Sequence, residues 1–195
     1  MSPSAAPLRE PRSGYPPGAR VLFTGEQIRS TVERMAGEIR AAYGEQELTV
    51  VAVLHGGLVF AADLIRRLDM PLRLGVVMAS SYRGEAREPA ALELPQHPQL
   101  DVADRHVLLL DDILDTGRTL SALAERLGAL GPRSLRTVTL LDKPSRRVVP
   151  IQADFRGFEI PDLFVVGYGL DFNERYRNLP DIVALPPPAT GPRPG

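Results

Sequence analysis

No cysteine occurs in the 195 residues. Disulfides, thiolate metal sites and a thiol nucleophile are therefore excluded. Lysine is nearly absent as well: Lys143 is the only one among 23 basic residues, and the rest are arginine. A genome biased toward arginine codons accounts for that imbalance. A surviving lysine marks a place where a compact point charge is needed, because Arg replaces Lys poorly there. Excess charge of either sign is missing too. The formal net charge is −1, so there is no bulk drive toward nucleic acid or a membrane surface. Apolar runs stay well short of the roughly 18 residues that a membrane helix needs. The start, broken by Pro3, Pro7, Arg9, Pro11 and Arg12, does not read as a signal peptide. A cytoplasmic enzyme is the class these absences leave, and the length suits one domain with a substantial core.

Pro, Ser, Ala and Gly dominate residues 1–20, and the stretch 186–195 is similar; both read as disordered tails around a single domain, residues 21–185. Within it, apolar strands alternate with amphipathic helices. Thr24 with Gln27 forms a capping-box pattern, and Ile28, Val32, Met35 and Ile39 then recur on one helix face. Leu48 to Leu54 is a continuous apolar strand, followed by Gly56-Gly57 and a helix through Leu68. Strands are further predicted at 72–79, 106–110 and 135–141, with a helix over 118–130 and short strands at 154–157, 164–166 and 182–184. This alternation predicts an α/β fold: a mostly parallel twisted sheet with helices on both faces. From Ser81 to about Arg105 the pattern fails among charges and prolines. A loop that long inside a compact domain is functional or disordered.

The most informative run is Val107-Leu108-Leu109-Leu110-Asp111-Asp112-Ile113-Leu114-Asp115-Thr116-Gly117-Arg118-Thr119. An apolar strand leads to adjacent carboxylates at its carboxyl end, where open α/β sheets bind ligands. A third carboxylate and a Thr-Gly-Arg-Thr turn then open a helix. Its first backbone N–H groups, two hydroxyls and a guanidinium suit an anion, and Gly117 permits close approach. Carboxylates for sugar hydroxyls or a metal beside a phosphate cradle describe a site for a phosphorylated sugar. Leu54-His55-Gly56-Gly57 is a second strand-to-helix junction; its glycines can expose N–H groups to an anion, but by itself it reads more readily as an ordinary turn. Lys143, in Leu141-Asp142-Lys143-Pro144, stands at the same sheet edge, where an ammonium can donate to a ligand carbonyl. Downstream lie Gly157-Phe158-Glu159-Ile160-Pro161, Phe164-Val165-Val166-Gly167-Tyr168-Gly169-Leu170-Asp171 and Arg177-Asn178-Leu179-Pro180.

Taken in this order, together with Ser81-Tyr82, these segments resemble the hypoxanthine-guanine phosphoribosyltransferase family over about residues 22–185. The Asp-Asp-Ile-Leu-Asp-Thr-Gly-Arg-Thr element marks the wider phosphoribosyltransferase superfamily. The aromatic and Arg-Asn-Leu-Pro segments narrow the resemblance to the 6-oxopurine branch. It implies a type I phosphoribosyltransferase fold with a small hood and a mobile lid loop. It also implies conversion of hypoxanthine or guanine with phosphoribosyl diphosphate (PRPP) to IMP or GMP and pyrophosphate, with Mg2+ as cofactor. A homodimer or homotetramer is implied, with no nucleic-acid partner.

Residue by residue, the resemblance makes Asp115 the proton acceptor near purine N7. Asp111 and Asp112 hold the ribose hydroxyls, directly or through magnesium, and Thr116, Gly117, Arg118 and Thr119 wrap the 5′-phosphate. His55, Gly56 and Gly57 form the pyrophosphate loop, where the family often holds a non-proline cis bond, and Arg177 binds pyrophosphate. Lys143 reaches the 6-oxo group, Phe164 stacks on the base, and the Val165 backbone meets its edge. Asp171 joins Asp111 and Asp112 at metal or meets the purine, and Ser81 and Tyr82 begin the lid. Two positions depart from the family pattern: Asp111 stands where Glu is usual, and His55 where Lys is frequent. A regulator that binds RNA on the same scaffold, or a xanthine transferase, are the alternative readings. Lys143 favours a 6-oxo over a 6-amino group, because an ammonium only donates.

Overall fold

The computed structural model describes residues 14–78 and 101–186. The expected lid residues Ser81 and Tyr82, and most of both expected tails, lie outside the described residues.

The chain begins with β1 (Arg20–Phe23) and α1 (Gly25–Tyr43). The helix starts where its capping box predicts. Thr24 Oγ1 accepts the Gln27 N–H at 3.3 Å, and the Thr24 N–H donates to Gln27 Oε1 at 2.9 Å. Its apolar stripe, including Ile28, Val32, Met35 and Ile39, is fully buried. There follow β2 (Leu48–Leu54), α2 (Gly57–Ile65), β3 (Leu72–Met78), β4 (His106–Leu114), α3 (Arg118–Gly128) and β5 (Ser134–Asp142). A single 3-10 turn, Pro144–Arg146, precedes β6 (Phe155–Glu159), β7 (Val165–Val166) and β8 (Ile182–Ala184).

Five strands form a wholly parallel sheet in the order β3-β2-β4-β5-β6. Strand alternation sends Val50, Ala52, Leu108 and Leu110 into the core beneath α1 and α2. Val51, Val53, Val107 and Leu109 point the other way, into the core that includes Leu120, Leu123 and Leu127 of α3. Burial on both faces is why β2 and the first half of β4 read as unbroken apolar runs. Such a sheet collects all its loop-bearing carboxyl ends at one edge, and the candidate site lies there.

The structure corrects several expected boundaries. β4 does not stop at Leu110 but runs to Leu114, because β5 offers partners as far as Asp142. Asp111 and Asp112 thus lie inside the strand, with Asp111 opposite Thr139. α2 ends at Ile65, where Arg66 and Arg67 fold back to donate to the Ala62 and Asp63 carbonyls. α3 ends at Gly128 rather than at residue 130.

A hood is present as a separate three-stranded antiparallel sheet, β1-β8-β7. It draws in part of the expected N-terminal tail. Ala19 is buried, and the Tyr15 hydroxyl donates to Asp181 Oδ2 at 2.6 Å. The ordered fold therefore starts ahead of residue 21. Asp181 also accepts the Gly25 N–H at 2.7 Å, which joins hood to α1. Tyr168 donates to Asp63 Oδ2 at 2.6 Å and joins hood to α2.

Candidate active site

The carboxyl ends of β2, β4 and β5 and the hood segment around residues 164–177 enclose a cavity of about 650 Å3. On its β4 side, Asp111 is buried and Asp112 is half-buried. Asp111 Oδ1 accepts the Asp112 N–H at 3.0 Å, and Asp112 Oδ1 accepts the Ile113 N–H at 2.9 Å. Burial pushes the carboxyl of Asp111 well up, and the neighbouring Asp112 charge adds to this. Burial also raises Asp112, opposed by hydrogen bonds from Asp111 and Ile113 and by the positive charge of Arg177. Two adjacent buried carboxylates oppose folding when both are ionised.

Asp111→Asn is accordingly expected to raise Tm near neutral pH while weakening the binding of a sugar phosphate. Asn keeps the oxygen that accepts the Asp112 N–H. The sign follows from linkage: a raised folded-state pKa means that wild-type stability falls as pH climbs through it. The advantage of the variant should therefore shrink as pH is lowered, which thermal unfolding at several pH values checks.

Past β4, the turn into α3 is held from behind. Thr116 O accepts the N–H groups of Val148 and Val149 at 3.0 and 3.2 Å. The Arg147 guanidinium donates to the carbonyls of Leu114, at 2.9 Å, and Asp115, and pairs with the Asp142 carboxylate. Gly117 has φ +86°, and a β-carbon there would stand 2.7 Å from Ile151 Cγ2 and 3.1 Å from Arg147 Cδ. Only glycine takes this turn without strain. It leaves the amino end of α3, with Thr116 and Thr119, facing the cavity.

The β2–α2 loop enters opposite, through a cis Leu54–His55 peptide. Gly56 is wedged there. A β-carbon would overlap the Asp112 carboxylate, while its carbonyl lies against Gly169 of the hood. His55 and Gly56 reach the cavity wall; Gly57 and Arg118 do not. Gly57 instead packs on β4, where a β-carbon would be 3.3 Å from Leu110 Cδ2. Arg118 is exposed on the first turn of α3. Each of the two residues begins a helix.

At the β5 end, Lys143 is 6% exposed, with Nζ 4.0 Å from Asp115 Oδ2. Burial pulls its ammonium below the usual lysine range, and Asp115 and Asp162 pull it back. Arg146 Nε donates to Asp115 Oδ1 at 3.2 Å. Phe164 lines the cavity with 53% of its surface exposed, so its ring is open to a ligand there. Its ring meets Phe172 edge-on, with centroids 5.4 Å apart. Val165, buried, opens β7 beside it.

Across the cavity, Arg177 pairs with Asp171 at 3.0 Å and donates to Gly169 O at 2.7 Å. Asp171 is thus engaged within the hood. Among the described residues no group of three His, Asp or Glu side chains gathers to hold a metal ion. The expected set of Asp111, Asp112 and Asp171 is not assembled by the protein alone. Arg146, Arg147, Phe172 and Glu174 belong to the site or its supports and were not read from the sequence. Their one linear signal is the Arg-Arg pair that follows Lys143.

The phosphoribosyl transferase domain model matches residues 21–173. Hypoxanthine-guanine phosphoribosyltransferase of Bacillus subtilis is 42% identical over 168 residues, covering 86% of this chain and 93% of the relative. Among solved structures, a hypoxanthine-guanine phosphoribosyltransferase from Bacillus anthracis superposes with a TM-score of 0.79 at 38% identity, covering 85% of this chain and 97% of its own. Trypanosoma cruzi hypoxanthine phosphoribosyltransferase, solved as a ternary substrates complex, gives a TM-score of 0.79 at 37% identity, covering 86% and 95%. With a type I phosphoribosyltransferase fold and this likeness over nearly its whole described length, the chain belongs to the hypoxanthine-guanine phosphoribosyltransferase family.

Proposed function

We propose that the chain salvages purines by transferring the phosphoribosyl group of PRPP to hypoxanthine or guanine, giving IMP or GMP and pyrophosphate. One observation carries this reading above the others. The single lysine, an exposed phenylalanine, a carboxylate pair and a helix amino end all face one cavity. The amino end of α3 with Thr116, Gly117 and Thr119 takes the 5′-phosphate through backbone N–H groups and hydroxyls. Asp111 and Asp112 take the ribose hydroxyls. The loop His55-Gly56 and Arg177 meet the pyrophosphate, and Asp171 holds Arg177 in place. Phe164 stacks on the base, the Val165 backbone meets its edge, and Lys143 donates to the 6-oxo group. Asp115 accepts the N7 proton as the purine attacks the anomeric carbon and pyrophosphate departs with the bonding pair. The transition state gathers positive charge on the sugar, so positioning and charge stabilisation supply most of the rate.

Magnesium fits this donor set. The raised, closely spaced Asp111 and Asp112 carboxyls would be relieved by a divalent cation. Mg2+ typically takes one or two carboxylates and completes its shell with water and substrate oxygens. When bound, it neutralises developing charge on the pyrophosphate. No described helix is long and apolar enough to cross a membrane, and a cytoplasmic setting is the expected one. A homodimer or homotetramer is the expected assembly.

The decisive test offers PRPP and magnesium with hypoxanthine, guanine, xanthine, adenine or uracil in turn. Nucleotide should form from hypoxanthine and guanine, vanish with EDTA, and not form from adenine or uracil. Silence on every base, with PRPP still bound, would overturn the reading in favour of a regulator.

A further inference from the structure

Arg146 has no place in the roles assigned so far, yet it touches the group on which the chemistry turns. It closes the 3-10 turn after Lys143. From there its Nε lies 3.2 Å from Asp115 Oδ1 and 3.7 Å from Asp162 Oδ1. Lys143 Nζ stands 4.0 Å from the other Asp115 oxygen, Oδ2. Each oxygen of this carboxylate therefore has its own cation. Arg146 is about half exposed, with 46% of its side chain accessible. An ion pair so exposed adds little to stability. Its consequence is geometric instead. A carboxylate held at one oxygen no longer turns freely about its terminal bond, a torsion that is otherwise broad.

We propose that Arg146 is a positioning residue: it occupies Asp115 Oδ1, so that Oδ2 stays on the Lys143 side and meets the purine in one orientation. The inference rests on the proton-accepting role of Asp115. Asp162 extends it, because that residue lies two positions before Phe164. One guanidinium thus ties the proton acceptor beneath the base to the loop that carries the stacking ring. The charged groups around Asp115 are Lys143 and Arg146 at its oxygens, Arg147 on its carbonyl, and Asp162 behind Arg146. Asp111, Asp112, Asp171, Glu174 and Arg177 line the remaining cavity.

The test compares Arg146→Gln, Arg146→Lys and Asp162→Asn with wild type in the full chain. Steady-state kinetics are run with hypoxanthine and Mg-PRPP, varying each substrate in turn. Arg146→Gln should lose about ten- to a hundredfold in kcat, the scale of a small misplacement of a reacting group. Its KM for PRPP and its Tm should stay close to wild type. The KM for hypoxanthine should change much less than kcat, since Lys143 and Phe164 still hold the base. Arg146→Lys should recover part of the loss, and Asp162→Asn should show a smaller change of the same kind. Unchanged kcat in Arg146→Gln, a loss that Arg146→Lys does not recover at all, or a loss confined to PRPP affinity, would overturn the inference. An inactive wild type would overturn the assigned reaction, and an undiminished Asp115→Asn the role of Asp115; each outcome is distinct from failure of the Arg146 role alone.

Discussion

Asp115→Asn is expected to lower kcat for hypoxanthine by about 10²- to 10⁴-fold, the range for loss of a general base, and to leave PRPP binding nearly intact. The amide has the shape of the carboxylate but cannot take up a proton. The turn should survive the change, because Arg147 holds residue 115 by its carbonyl and Thr116 by its link to residues 148 and 149. The phosphate-binding end of α3 therefore stays in place. A second consequence reaches Lys143. Asp115 is the largest influence countering the burial of that ammonium. Without it, Lys143 should deprotonate at still lower pH, so purine KM in the variant should rise earlier on the alkaline side. Turnover assays and titration calorimetry with Mg-PRPP separate the two effects. Unchanged kcat would remove Asp115 from the chemistry.

Gly56→Ala should be nearly as damaging through a single methyl group. That methyl would occupy the position of the Asp112 carboxylate. Retreat in the other direction is closed, since the Gly56 carbonyl already lies where a β-carbon at Gly169 would sit. Either Asp112 rotates out of the cavity or the loop lifts the hood. Overpacking of this kind costs about 1–3 kcal/mol, and displacement of a sugar-binding carboxylate should cut kcat/KM for PRPP by about 100-fold. Gly37→Ala is the matched control. It sits within α1 with nothing within 4 Å of the added carbon. That change should stabilise the protein by about 0.5–1 kcal/mol and leave turnover unaltered. Thermal unfolding with PRPP kinetics checks both, and a normal kcat/KM in Gly56→Ala would refute the wedge.

Much of this architecture was readable in the chain because its signals are local. The capping box at Thr24, the apolar run Leu48–Leu54 and the acid-rich element at residues 111–119 each declare themselves within a few residues. The hood does not. Two of its strands read as short apolar runs, but β1 at residues 20–23 is too short to show alternation and pairs with β8 across most of the sequence. The full extent of β4 is hidden because adjacent aspartates resemble a strand terminus. What keeps them in the strand is the length of its neighbour β5, a fact of register. Lys143 stood out through scarcity, whereas Arg146 and Arg147 were lost among many arginines. Their partners, Asp115, Asp142 and two carbonyls, are identified only when the ends of β4 and β5 lie side by side. That Gly57 and Arg118 stand back from the cavity wall was hidden for the converse reason. A motif names neighbours in sequence, but a helix start turns each successive residue by a large angle.

β8 lies at the centre of the hood, between β1 and β7, and Asp181 beside it ties down Gly25 and Tyr15. During synthesis the parallel sheet gains its strands in an order that lets each pair with one already made or soon to follow. The hood has no such course. Its first strand waits unpartnered until residues 182–184 leave the ribosome, and the segment with Phe164, Asp171 and Arg177 waits with it. Exposed strand edges of this sort invite misassociation in a growing chain. A nascent chain can thus present its phosphate-binding turn while still unable to grip a base. Completing the base-binding side of the cavity therefore depends on one of the last strands to be made.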